Sequence, residues 1–433
     1  MSTPSNRSCR RLALAIAGCC CLFTTSAWAG DWPQYLGPAR NSTSPEKGLL
    51  RSWPADGPKV EWTVALGRGF GGPVVKAGKV YLLDRDDKVG DNMRCFDLSS
   101  GKELWNFGYN APGSVEFPGS RSVPAVDGNN VYSCGHNGDL YCIDINTHKP
   151  VWNKNIWTDY GGGRLSMWAV AQCPLVYGDL LIVAPQAPQV GVVAYDKLTG
   201  QEKWKTSFLG NPGFNGYVSP SIVKVGQEDH LVMITASAGR SGSGGKVVGI
   251  DPLTGKTLWE YTNWSCWIPV PSAVDAGEGR ILFTGAYNAG AAMIKVAKKD
   301  DGSYEVNELF KTIEFGSHTK PPILLDGCFY VQYTTNERSD GLVCMRMDGK
   351  IMWKTGRSPA FNKGSMILAD GLILATDGTT KLYLIEPDPS AFKPHATAEL
   401  LGDGNQNWAP MALSDGKLLI RDQAQMKCLK VAQ

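Results

Sequence analysis

Cations and aromatic side chains alternate in a set of loops spread along this 433-residue chain: Arg68, Phe70, Arg121, Trp168, Tyr217, Trp267, His318, Lys320, Asn407 and Trp408. Each loop feeds a strand opened by Pro or a small residue, so a fold that gathers those strand ends also gathers these side chains. Taken singly, each aromatic reads as packing for the inner ends of sheets. Taken together, flat aromatic faces would stack a planar or sugar-like group, and the cations would hold an anion. Positive charge converging on a narrow space costs energy unless it is solvated or paired. Glu116, Glu314 and Asp403 are the nearest carboxylates in sequence. The expectation is that they pair with the cations in an inert plug, with an anionic or carbohydrate ligand as the alternative. The longest of these loops, Trp157-Thr-Asp-Tyr-Gly-Gly-Gly-Arg164-Leu-Ser-Met-Trp168, is of the kind that carries function on a rigid scaffold.

Other constellations fail on spacing. Gly239-Arg-Ser-Gly-Ser-Gly-Gly-Lys246 has the wrong offsets for a phosphate loop and Val247 where Ser or Thr is needed. It reads as a hairpin loop, and Ser241 and Ser243 miss the nucleophile elbow. Asp84-Arg-Asp86-Asp87 starts like a calcium loop but lacks the later Gly and Glu, which leaves a solvated turn. Five histidines, none at ligand spacing with another His or Cys, give zinc no support. No catalytic residues and no metal ligands are expected.

The elements that must position the loops are set by one repeated unit. Gly249-Ile-Asp-Pro-Leu-Thr-Gly-Lys-Thr-Leu-Trp259 recurs as Cys95 to Trp105, Cys142 to Trp152 and Ala194 to Trp204, always with eight residues from Asp to Trp. A worn copy runs from Cys344 to Trp353, with Arg346 in place of the Asp. Alternating residues, an Asp and Thr-Gly turn and a second alternating run make a β-hairpin. A Trp buries roughly 150–250 Å², more than one hairpin covers, so each repeat needs a neighbour. Turn glycines at 78, 128, 178, 226, 279, 327, 371 and 416 follow Pro73, Pro124, Pro174, Pro220, Pro271, Pro322, Ser365 and Pro410, which are themselves 43 to 51 residues apart, the length of a four-stranded sheet. Lys295 to Phe310 and Leu384 to Leu400 keep the length without turn or Trp. The last unit lacks an outermost strand, and Pro58-Lys-Val-Glu-Trp62-Thr-Val supplies one. Joining them closes a ring with no exposed edge.

Composition agrees: Gly 50, Pro 26 and Trp 14 suit an all-β repeat fold with almost no helix. A net charge of +2 leaves no basic excess for nucleic acid. Arg7, Arg10 and Arg11 before an apolar run to Phe23, then Ala27-Trp-Ala29, read as an export signal over residues 1–29, too short to span a bilayer. The competing reading is a lipoprotein box at Ile16-Ala-Gly-Cys19, which would lipidate Cys19. Residues 30–52 form an arm, with Ser44-Pro45-Glu46 suited to start one short helix. Four of the 12 cysteines fall in the signal, and Cys95, Cys142, Cys344 and Cys428 share the repeat position held elsewhere by Ala194 and Gly249. They are expected as free, buried small side chains.

The copies at Asp196 to Trp204 and Asp251 to Trp259 resemble the quinoprotein-type (PQQ-like) propeller repeat, Ala-x-Asp-x-x-Thr-Gly-x-x-x-Trp, and the resemblance runs from about Trp53 to the C-terminus. It implies an eight-bladed β-propeller of four-stranded antiparallel blades over residues 53–433. Members that look like this include quinone-dependent dehydrogenases and a non-enzymatic propeller lipoprotein of the outer-membrane β-barrel assembly machine. The dehydrogenases imply PQQ with Ca²⁺ and often a disulfide between adjacent cysteines, yet the only adjacent cysteines, Cys19 to Cys21, lie in the signal. The expected function is therefore that of a binding or assembly scaffold, periplasmic or secreted, without a cofactor. It would act as a monomer or within an envelope complex, on a protein partner or a small anionic or carbohydrate ligand. A PQQ-dependent alcohol or sugar dehydrogenase is the alternative.

Overall fold

All eight turn glycines singled out by spacing take positive φ, from 54° to 75°. Each joins the first two strands of a sheet. At Ala77–Gly78 both φ values are positive, 49° and 69°, the geometry whose twist matches that of the flanking strands. The computed structural model describes Met1 and residues 30–210, 217–240, 243–402, 404 and 406–433. The export signal, the Cys19 box, Ser241 and Asp403 lie outside the described residues.

Eight sheets of four antiparallel strands make the ring, one of them extended by a two-residue parallel strand. Blade 1 runs from inner strand Val74–Lys76 to outer strand Glu103–Gly108, blade 2 from Ala125–Asp127 to Pro150–Asn155, and blade 3 from Leu175–Tyr177 to Glu202–Lys205. Blade 4 spans Ser221–Val225 to Thr257–Tyr261, blade 5 Val274–Asp275 to Tyr304–Thr312, blade 6 Ile323–Leu325 to Ile351–Lys354, and blade 7 Met366–Ala369 to Lys393–Glu399. Blade 8 is built from both ends of the chain: Ala412–Ser414, Lys417–Arg421 and Gln425–Lys430 are completed by Val60–Ala65, with Trp62 opposite Cys428. The ring is thus closed by the N-terminal strand, which completes a blade that would otherwise have three strands and leaves each blade with only a short outer edge.

The repeat Trp has the role its spacing implies, with added detail. In seven blades the partner of the marked small or apolar position is a Trp or Phe: Cys95↔Trp105, Cys142↔Trp152, Ala194↔Trp204, Gly249↔Trp259, Met293↔Phe310, Cys344↔Trp353 and Cys428↔Trp62. A bulge follows this pair each time, and the same bulge occurs at Leu384 in blade 7. Trp62, Trp152, Trp204 and Trp353 donate their indole N–H to backbone carbonyls of the next blade, at Leu98, Lys197, Pro252 and Asp388, over 2.8–3.1 Å. The turn Gly lies beneath the ring: a Cβ on Gly101, Gly200 or Gly255 would come within 2.7 Å of the indole from the preceding blade. At the one turn with His148 in that place, Trp105 instead stacks on the imidazole at 4.9 Å. Five of the eight blades are thus latched to their successors by a repeated contact, as expected for a repeat that cannot bury its own apolar face.

Two expectations are corrected. Ser44 does not begin a helix; Thr43–Ser44 pairs in parallel with Leu368–Ala369, because the arm finds hydrogen bonds on the edge of an inner strand. Among the described residues the one helical element is the three-residue 3-10 turn Thr158–Tyr160 in the longest loop. Nor is Asp84–Asp87 a solvated turn. The Arg85 side chain is fully buried and donates to Asp87 (2.7 Å), Asp91 (2.9 Å) and the carbonyls of Ala111 and Gly113.

Candidate functional site

The eight loops that precede the inner strands converge at one end of the ring, where they border a cavity of about 290 Å³. Close backbone approach makes this possible. A Cβ on Gly71 would sit 2.4 Å from the Ser122 carbonyl oxygen, and Phe70 N–H donates to Ser120 O at 2.6 Å. Of the ten residues picked from sequence, Phe70, Arg121, Trp168, Tyr217, His318, Lys320 and Trp408 line this cavity. Arg68 is exposed and lies outside the lining. Trp267 stands behind Tyr287, ring to ring at 5.3 Å, under the guanidinium of Arg240. Asn407 is buried and ties down its loop through the carbonyls of Thr379 and Gly402.

The aromatics form a continuous wall. Trp408 lies 5.4 Å from Phe70 and 5.7 Å from Phe117; Phe117 lies 5.9 Å from Trp168, which lies 5.5 Å from Tyr217. Across the cavity Tyr287 meets His318, with its hydroxyl 3.1 Å from Nε2. Cations are set against this wall: Arg121 over Phe70 at 5.6 Å and Lys363 over Trp408 at 4.7 Å. Such pairs are favourable once desolvated. Lys320 Nζ donates to the Trp408 carbonyl at 2.6 Å, and Arg121 donates to the Phe117 carbonyl.

Burial shapes the charges. It pushes the Lys320 amine down to about 8 and the Arg121 guanidinium down to about 10, and lowers Lys363. His318 is driven down to about 3, first by burial and then by the charges of Lys363 and Lys320, and is neutral at pH 7.

The two carboxylates of the expected plug that are described, Glu116 and Glu314, do not pair with the channel cations. Glu314 pairs with Arg338 (3.0 Å) and Lys354 (2.7 Å) on the outside of blade 6, and Glu116 accepts the Trp168 indole N–H at 3.2 Å. Among the described residues no salt bridge reaches Arg121, Lys320 or Lys363. Sequence distance misled here because Glu314 stands just past the outer strand Tyr304–Thr312, where Arg338 and Lys354 hold it before the chain reaches the mouth.

Several lining residues escaped sequence reasoning. Phe117, next to the Glu116 already singled out, sits on a loop pinned by Arg85 and by Asp87, which accepts from Ser114 Oγ (2.9 Å) and Gly119 N–H (3.2 Å). Tyr287 comes from a connection without a repeat marker, between the second and third strands of blade 5, whereas Lys363 stands two residues before the Ser365 marker, in a loop whose residues are not among the sequence candidates. Tyr35 comes from the N-terminal arm. The one available signal was the alternation of charge and aromatics, and it extends only over loops that directly precede inner strands.

With the geometry in place, the chain can be compared with known proteins. Residues 89–355, more than half of the chain, match the family model described as outer membrane protein assembly factor BamB. The chain belongs to this family. Its relatives divide between two kinds of protein. It is 27% identical over 159 residues to the quinoprotein ethanol dehydrogenase of Pseudomonas aeruginosa, covering 36% of this chain and 24% of that one. It is 24% identical over 172 residues to the outer membrane protein assembly factor BamB of Shewanella oneidensis, covering 38% and 37%. The matches thus span well under half the length of these curated relatives. Among solved structures, the quinohemoprotein alcohol dehydrogenase of Comamonas testosteroni superposes with a TM-score of 0.63 over 94% of this chain and 82% of that one, at 13% identity. At that identity the likeness concerns the fold alone.

The dehydrogenase relatives raise the question of whether a quinone with calcium would fit. The cavity offers cations for carboxylates and aromatic faces for a flat ring system. It offers calcium little: Glu116 is the one carboxylate among the lining residues, and among the described residues no three His, Cys, Asp or Glu side chains come together. Calcium sites are built from six to eight oxygens, with carboxylates prominent. The donor set fits a planar acid and does not fit a calcium-assisted quinone.

Proposed function

We propose that this chain is an exported propeller that binds, and that it serves as a binding or assembly scaffold instead of a dehydrogenase. Its channel mouth takes a small planar anion. The observation that carries the reading is the set of three channel cations, Arg121, Lys320 and Lys363, facing an aromatic wall without a carboxylate partner among the described residues. Buried charge of one sign is stable only when a counter-charge or water answers it, and a bound anion would do so. The BamB relative supports a protein partner in the cell envelope. The Arg-rich, apolar, Ala-x-Ala start of the chain supports export, and among the described residues no helix is long and apolar enough to cross a membrane.

Isothermal titration of the purified protein with pyrroloquinoline quinone and with 2,6-naphthalenedicarboxylate, each with and without Ca²⁺, tests this together with a dye-linked alcohol assay. The reading expects calcium-independent binding, lost in the Arg121→Ala, Lys320→Ala double variant, and no alcohol-dependent dye reduction. Alcohol-dependent dye reduction that requires both quinone and Ca²⁺ would establish the dehydrogenase reading in its place.

A further inference from the structure

The N-terminal arm crosses the end of the ring opposite the mouth. The mouth loops lie ahead of each inner strand, whereas the arm's backbone pairs with the middle and far ends of these strands, and the Arg40 side chain extends from it to the prolines that open two of them. Trp32 exchanges hydrogen bonds with Val75 in blade 1 (2.9 and 2.8 Å), and Pro33 O accepts from Val126 in blade 2 (2.8 Å). Thr43–Ser44 then lies along blade 7, and Glu46 accepts from Gly416 in blade 8 at 2.9 Å. Between these anchors Arg40 reaches the carbonyls of Pro174 and Pro220, in blades 3 and 4, at 3.2 and 3.1 Å. A segment fastened on both sides of the ring must pass beneath the channel. Tyr35 indeed lines the same cavity as Arg121, Lys320 and Trp408.

From this we infer that the channel is a blind pocket whose floor is the arm, and that the Tyr35 hydroxyl is a ligand-contacting group that sets specificity at its closed end. Tyr35 is 7% exposed, and its hydroxyl makes no hydrogen bond to any described residue. Nor is that oxygen among the sealed-off polar atoms that lack a partner, so it opens on the cavity. The Arg40 guanidinium lies against the face of the phenol ring, 5.8 Å from its centroid, and is itself fixed by three acceptors, Gln34 Oε1 and the two proline carbonyls. The ring is therefore held in place with one donor unused. Burial keeps the phenol far above its ordinary range, so it donates and does not ionise. A neutral donor at the floor and cations at the mouth fit a flat acid that carries a second acceptor, a carboxylate or carbonyl, at its inner end. A dicarboxylate should thus outbind the corresponding monocarboxylate.

This rests on the anion-binding reading, and the experiment separates the two. 2,6-naphthalenedicarboxylate and 2-naphthoate are titrated into the full protein and into its Tyr35→Phe variant, which removes a single oxygen. The parent should prefer the dicarboxylate by about ten-fold, the usual worth of a hydrogen bond to a charged group, and Tyr35→Phe should bind both acids about equally. If Tyr35→Phe keeps the parent's preference, or the parent shows none, the floor assignment is wrong while anion binding stands. If the parent binds neither acid, the anion-binding reading falls and this inference falls with it.

Discussion

Lys320 and Trp408 are joined across the mouth of the channel: the amine donates to the backbone carbonyl at 2.6 Å, while Lys363 lies 4.7 Å over the indole of the same tryptophan. One residue thus receives two cations from two other blades. The arrangement holds positive charge in place before any ligand arrives, so the proposed anion would bind with little rearrangement.

The first prediction concerns pH. Burial lowers Lys320 from an ordinary 10.5 to about 8 in the folded chain. Between pH 8 and 10.5 the unfolded chain holds the proton and the folded one has lost it, so this group makes stability rise with pH across that window. Its burial penalty is fully felt below about pH 8. Affinity for 2,6-naphthalenedicarboxylate should fall as pH rises through about 8, where the folded chain loses this cation. Urea melts and titrations at pH 7.5 and 9.5 check both. Lys320→Met should flatten the change in stability, and an unchanged pH response in that variant would show that another group is responsible.

Trp259 tests the latch between strands. Its indole N–H donates to His230 Nδ1 at 2.9 Å inside its own blade, since Gly249 leaves room that a Cβ, 2.1 Å from the ring, would take. Trp259→Ala should cost about 3–5 kcal/mol. Trp259→Phe should cost less, although it leaves His230 without its partner. Denaturant melts of the two variants measure the difference, and a cost under about 0.5 kcal/mol for Trp259→Ala would be the signature of an exposed site.

Arg85 is the hub of the loop that carries Glu116 and Phe117. Removing it leaves Asp91, whose carboxyl burial already pushes up to about 6, without its counter-charge. Arg85→Ala should destabilise by about 3–5 kcal/mol, and adding Asp91→Asn should recover part of the loss. Equal stability of the single and double variants, read by chemical denaturation, would mean that the pair is uncoupled.

Closure of the ring predicts unequal effects of two shortened chains. One starting at Lys59 loses the arm but keeps Val60–Ala65; one starting at Leu66 also loses the strand that carries Trp62. The second should be less stable than the first by at least about 3 kcal/mol, the scale of an emptied tryptophan site. Coincident thermal melts would dissociate the strand from closure.

All eight cysteines outside residues 1–29 are free and buried. Cys134 faces Leu140, and Cys142 faces Tyr132, so these two do not oppose each other across their hairpin. Thiol titration of unreduced protein should therefore find almost none in the native state and eight after unfolding. Intact disulfides in a mass-spectrometric map would contradict this.

The blades, their number and their closure could be read directly from the sequence, because every determinant is local. An Asp, a turn and a Trp lie within one hairpin, and the unmatched strands at Trp62 and Cys428 announce each other by what each end lacks. The rim was partly readable for the same reason: seven of its residues stand in the loops that directly precede the marked inner strands. Only the tertiary structure decided which charges meet. Glu314 lies close to the mouth in sequence yet pairs with Arg338 and Lys354, and Arg85, within an ordinary acidic run, is buried against Asp91 and the carbonyls of residues 111 and 113. Tyr35 reaches the cavity from the arm because Arg40 is fastened to carbonyls 134 and 180 residues away in sequence. Strand period and turn chemistry act over a few residues and leave a pattern in the chain; ion pairing and the path of an irregular arm depend on which surfaces the closed ring brings together, and leave none.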